Sequence, residues 1–136
     1  MQNTNPAWNA TLIISDLDRR RLDALATAAM ERSPDLADGL MAELDRATIV
    51  GAESMPADVI RMGSTATFRS GDGTTRRVTL VFPADADIAS GRVSVLTPVG
   101  TALIGLSEGQ SITWTTRDGR EQQLTVLEVE PQAPAA

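Results

Sequence analysis

Carboxylates and guanidinium groups carry whatever charge chemistry this sequence has, because its 136 residues include no histidine, no cysteine and no lysine. Thiolate nucleophiles, imidazole bases, Ser-His-Asp triads, disulfides and thiolate or imidazole metal ligands are thereby excluded. One mixed cluster is Glu31-Arg32-Ser33-Pro34-Asp35-Leu36-Ala37-Asp38. Asp35 and Asp38 share a face if that stretch is helical, and paired carboxylates are what a hard cation such as Mg2+ takes. The same two acids suit the first turn of a helix through its dipole, and this structural reading outweighs the metal one. Arg19-Arg20-Arg21 is a basic run fit to meet an acidic protein surface or nucleic acid. Consecutive residues diverge around a helix, so a solvated face is the weightier reading there too. The third candidate is Thr97-Pro98-Val99, a helix start by its local chemistry, with Thr97 as N-cap and Pro98 at the position that tolerates a missing N–H.

These groups need elements to hold them, and the sequence changes character halfway. Its first half has helical spacing. Ser15 and Asp18 form an S-x-x-D pattern close to a capping box after the apolar stretch 10–14. Along 16–30, Leu22, Leu25, Ala26 and Ala29 follow i, i+3, i+4, i+7, with Asp16 and Arg20 placed to pair on the polar side. Ser33-Pro34 stops this helix and starts the next, about 35–48, with Ser33 as N-cap and Leu36, Leu40, Leu44 and Ala47 as its stripe, widened by Ala37 and Met41. Two amphipathic helices and a short loop predict an antiparallel αα-hairpin whose arms are each roughly 20 to 24 Å long at 1.5 Å per residue. Ser33, Asp35 and Asp38 then stand at its tip.

The second half alternates. Residues 51–57, with Met55-Pro56, form a linker; beyond it, 64–70 and 76–82 flank Gly71-Asp72-Gly73 as a β-hairpin. Val93 to Leu96 reads as a short strand leading into a helix with the stripe Val99, Ala102, Leu103 and Leu106. A second hairpin joins the strand around Ile112 and Trp114, through Asp118-Gly119, to 121–129. In that last strand Leu124 and Val126 point one way and Leu127 and Val129 the other, which implies a bulge or a strand covered on both faces. The whole predicts an α+β chain: a leader and helical hairpin over 1–50, a linker over 51–57, a twisted, mostly antiparallel sheet of about five strands with one short helix over 58–130, and a tail over 131–136. Its core is expected to draw on Phe68, Val78, Leu80, Phe82, Val93, Val95, Leu103, Trp114, Val126 and Val129.

Charge narrows the partners. Eighteen acidic against twelve basic residues leave a net charge of −6, which opposes direct nucleic-acid binding. The leader has neither a basic nor an apolar region, and no apolar run approaches the roughly 18 residues of a membrane span, so a cytoplasmic protein without membrane contact is expected. Trp8, in that polar leader, reads as a residue folding back onto the body rather than a docking aromatic, and Trp114 as a core or sheet-face residue.

The segment Leu96-Thr97-Pro98-Val99-Gly100-Thr101-Ala102-Leu103-Ile104-Gly105-Leu106, followed by Glu108-Gly109-Gln110 and a hairpin ending Leu127-Glu128-Val129-Glu130, resembles the C-terminal domain of the Gre transcript-cleavage factors. There an S-P-x-x-x-A-L-x-G stretch is characteristic. Ile14-x-Asp16-Leu17-Asp18, Ala42-Glu43-Leu44-Asp45-Arg46-Ala47 and Met55-Pro56-x-Asp58-Val59-Ile60-x-Met62 are similar to the Rnk group, the regulators of nucleoside diphosphate kinase, which joins that domain to a shortened helical arm. The likeness runs from about Thr11 to Glu130. It implies an FKBP-like fold for the C-terminal domain and a short coiled coil for the hairpin. It also implies attachment to RNA polymerase core at the rim of the secondary channel, with DNA or RNA met only through the polymerase. By position, the docking residues are Thr97, Pro98 and Val99; Leu96 stands where Gre factors usually have Asp or Asn. Gre factors hold a catalytic Mg2+ with acids at the tip of a long coiled coil, and this hairpin is much shorter. The expectation is therefore a non-catalytic regulator of elongation that competes with Gre factors and carries no cofactor or metal. The alternatives are direct action on a metabolic enzyme such as nucleoside diphosphate kinase and, less favoured, peptidyl-prolyl isomerase activity. Isomerase sites are lined with aromatics, whereas two Phe, two Trp and no Tyr occur here.

Overall fold

The computed structural model describes residues 12–115 and 119–130. Trp8, the tail over 131–136 and Asp118 of the expected second turn lie outside the described residues. The chain opens with strand β1 (Ile13–Ser15) and helices α1 (Asp16–Ala29) and α2 (Pro34–Arg46). The Ser15 hydroxyl accepts a hydrogen bond from the Asp18 N–H at 3.1 Å, the expected N-cap. Leu22 and Ala26 turn inward, and the polar face carries an Arg19–Asp23 pair at 3.0 Å, three residues along from the Asp16–Arg20 pair that spacing suggests. Pro34 starts α2 as expected. Ser33 sits at its N-cap but makes no side-chain cap bond, because at φ −141° and ψ 65° it lacks the extended backbone that aims an N-cap oxygen at the first turn.

Helix α2 also ends at Arg46, short of 48, since the β-branched run Thr48–Val50 leaves as strand β2 and pairs in parallel with β1, Ile14 opposite Ile49. This two-stranded sheet closes the base of the helical hairpin.

The larger sheet has five strands, β3 (Thr65–Ser70), β4 (Thr75–Val81), β5 (Arg92–Ser94), β6 (Ser111–Thr115) and β7 (Glu121–Val129), in the order β5-β4-β3-β7-β6. Every pairing is antiparallel except β4 with β5. The third helix, α3 (Pro98–Leu103), follows β5. Ala66 and Phe68, Val78 and Leu80, Ile112, and Leu124 and Val126 bury one face of the sheet. The expected bulge lies in β7: Thr67 opposes Glu128, but Phe68 opposes Val126, so Leu127 is the extra residue. It stands 41% exposed, and Val129 returns to the buried face. Three residues expected in the core are only half-buried: Phe82, Val93 and Trp114. Val93 and Trp114 belong to the two edge strands, and Phe82 follows the last residue of β4, so each meets neighbours on one side only.

Leu12, Ile14, Leu22, Leu40 and Leu44 of the N-terminal half belong to the same buried cluster as Phe68, Leu80, Leu103 and Leu124. Polar contacts fix the junction. The Ile13 N–H donates to the Gly105 carbonyl at 3.1 Å, and the buried Asp18 carboxylate accepts from the Met62 N–H at 3.1 Å. Gly105, at φ +83°, leaves the place of a Cβ 3.3 Å from both Leu12 Cβ and the Ile13 nitrogen, so the approach of β1 rests on glycine there. Among the described residues, no helix is long and apolar enough to cross a membrane.

Candidate partner-docking surface

The stretch from β5 into α3 is held by its own side chains. The Ser94 hydroxyl accepts from the Leu96 N–H at 3.1 Å. The Thr97 hydroxyl donates to the Ser94 carbonyl at 2.7 Å and accepts from the Gly100 N–H at 3.1 Å, and the Thr101 hydroxyl donates to the Val95 carbonyl at 2.7 Å. Three small hydroxyl side chains thus satisfy backbone groups that a bend would otherwise leave open. Gly100 completes the fit: a Cβ there would stand 2.1 Å from the Ser94 oxygen, so only glycine lets the first turn of α3 lie against β5. The result is a fixed, half-exposed corner formed by Thr97, Pro98 and Val99.

Pro98 and Trp114 border two shallow grooves, one on either side of this corner. The first, about 690 Å3, runs toward β4 and the β4–β5 loop and is walled by Arg76, Ile88, Val93 and Val99. The second, about 790 Å3, lies between α2 and α3 with β6, and Asp35, Leu36, Gly39 and Glu43 form its α2 side. The fold therefore brings Asp35 to the same groove as Pro98. Asp38 is exposed and Ser33 half-buried, and neither lines that groove. Among the described residues no group of three or more acids converges to hold a metal ion. Burial pushes the Glu43 carboxyl above the usual glutamate range, against the opposing pull of Arg46, whose Nε donates to it at 3.3 Å.

The arginine run divides as its spacing requires. Arg19 pairs with Asp23, Arg20 is exposed, and the Arg21 guanidinium lies over the Phe82 ring, 4.6 Å from its centroid. Sequence reasoning missed Ile88, Arg76 and Glu43. Ile88 is 82% exposed on a short turn beside the first groove; its signal was a lone large aliphatic residue in the stretch Pro83 to Ser90, otherwise built of Pro, Ala, Asp and Ser. Arg76 interrupts the apolar alternation of Val78 and Leu80. The Trp114 indole N–H is buried and has no hydrogen-bond partner among the described residues.

A short Pro-started helix seated on an open five-stranded sheet, with a helical pair packed against it, defines the class: residues 55–131 match the family model described as the C-terminal domain of transcription elongation factors GreA/GreB. Residues 11–50 match the model described as the Rnk N-terminus. The chain belongs to the Rnk family, and is 45% identical over 127 residues to the regulator of nucleoside diphosphate kinase of Escherichia coli, covering 93% of each chain. The transcription elongation factor GreA of Azorhizobium caulinodans is 32% identical over 96 residues, 67% of this chain and 61% of that one. Among solved structures, the GreA/GreB elongation factor of Nitrosomonas europaea superposes with a TM-score of 0.70 at 37% identity, over 88% of this chain and 98% of that one. The mixed α+β fold is thus that of this family, and the named relatives are regulators and elongation factors.

Proposed function

We propose that the protein is a non-enzymatic, cytoplasmic regulator of transcription elongation that binds RNA polymerase core. In this reading the sheet domain, FKBP-like in architecture, docks at the rim of the secondary channel through Thr97, Pro98 and Val99, and competes there with Gre factors. The hairpin, a short coiled coil tipped by Ser33, Asp35 and Asp38, occupies the channel mouth without stimulating RNA cleavage. The observation that carries the docking assignment is the braced corner. Four side-chain hydrogen bonds and an obligatory glycine hold Pro98 and Val99 outward, and a surface fixed before binding loses little entropy on association. Helices of 14 and 13 residues, each only ~20 Å long at 1.5 Å per residue, support occupancy without catalysis.

The test is a titration of core polymerase with wild type and Pro98→Ala, with and without a Gre factor. Saturable binding that the Gre factor displaces, weakened at least ~10-fold by Pro98→Ala (about 1.4 kcal/mol) at unchanged thermal stability, is expected. Equal affinity of the two proteins overturns the site. The name of the Escherichia coli relative favours a second reading, direct action on nucleoside diphosphate kinase. A purified kinase whose activity responds to this protein with no polymerase present would establish that reading instead.

A further inference from the structure

We infer that the groove on the β4–β5 side of Pro98 receives an acidic, aliphatic segment of the protein partner, with Arg76 and Ile88 as contacts outside the docking corner. The inference rests on the polymerase reading for the partner's identity, but not for its chemistry. Val78 and Leu80 bury the inner face of β4, and Arg76, two residues earlier and opposite the buried Phe68, continues that face beyond the edge of the core. An arginine stands where the alternation asks for an apolar residue, at the wall of a groove whose other sides are Val93, Pro98, Val99 and Trp114.

Although the chain carries a net charge of −6, no carboxylate lines this groove among the described residues, whose charged members there are Arg76 and Arg77. Arg77 is neutralised by a two-pronged pair with Glu130, whereas Arg76 is exposed and has no acidic partner among the described residues. Ile88, 82% exposed, extends the apolar wall at the rim. The groove across Pro98 carries the exposed Asp35 and the half-buried Glu43, the latter paired with Arg46, and no basic residue lines it among the described residues. An acidic segment is therefore drawn to one side of the corner and repelled from the other, which fixes its direction.

Two arms test this separately from the polymerase reading. In the first, core polymerase is titrated with wild type, Arg76→Glu, Ile88→Ser and a control, Arg69→Glu, which makes the same charge change on the opposite face of the sheet. Arg76→Glu is expected to weaken binding about 10-fold at low salt, with the loss shrinking as salt rises; Ile88→Ser weakens it at all salts, and the control stays within about 2-fold. In the second arm, the Trp114 emission of a Trp8→Phe protein is followed with three peptides of equal length, in which leucines are flanked by glutamate, glutamine or arginine. The glutamate peptide binds tightest, and Arg76→Glu inverts the order. If that order holds but polymerase does not bind, the groove stands and the polymerase reading falls. If polymerase binds wild type and Arg76→Glu alike, the groove assignment is overturned whatever the peptides do.

Discussion

A methyl group at position 100 would stand 2.1 Å from the Ser94 carbonyl oxygen, inside backbone that cannot move without unseating α3. Gly100→Ala is therefore expected to cost about 3 kcal/mol or more, read from the urea midpoint, and to weaken polymerase binding with it. Glu43 works in the other direction. Burial raises its folded pKa above the unfolded value, so the folded state holds its proton longer. The associated stability is full below the unfolded pKa and is lost as pH rises through the folded one. Glu43→Gln should then melt higher than wild type at neutral pH, with the gap closing in acid; equal melting curves at neutral pH would refute the assignment. Glu130 has the opposite sign. The hydrogen bond from Arg77 lowers its pKa, so the pair helps at neutral pH and fades as pH falls through that lowered value, and its exposure keeps the effect small.

At the scale of elements, hydroxyl caps and one carboxylate do much of the positioning. Thr97→Val removes both bonds of the cap of α3 and should cost about 1 kcal/mol, while Thr97→Ser keeps most of it. Asp18→Ala removes the carboxylate that accepts from the Met62 N–H and joins α1 to the segment before β3; a loss of about 1.5–3 kcal/mol is expected, with faster hydrogen exchange at Met62. The two kinds of contact differ in how far the sequence reveals them. Ser15, Thr97, Pro34 and Pro98 act on residues within one turn, so their roles are written in adjacent letters, and the bulge at Leu127 shows as a break in alternation. The β1–β2 pair is different. Each strand has three residues, too few to carry a period, and their pairing joins positions 35 apart, Ile13 with Thr48. The Asp18–Met62 bond, the convergence of Asp35 on Pro98 and the exposure of Ile88 are likewise products of the fold, which no local pattern encodes.

For the whole molecule, the decisive feature is a single buried cluster that runs from Leu22 and Leu40 of the helical pair to Phe68 and Leu124 of the sheet. The hairpin is therefore part of the body that carries the proposed docking corner. Unfolding should be one transition, with far-ultraviolet circular dichroism and tryptophan emission superimposing; two separated midpoints would show that hairpin and sheet melt independently. In the proposed reading, short helices on such a body fill a channel mouth, and the differently charged grooves beside Pro98 give the protein its direction of approach. The measurement that bears most directly on this account is a titration of core polymerase in a backtracked complex, followed for binding, displacement by a Gre factor and transcript cleavage together. The account predicts saturable binding, displacement by the Gre factor, and no cleavage beyond that of polymerase alone; binding that the Gre factor leaves untouched, or cleavage that rises with occupancy, would contradict it.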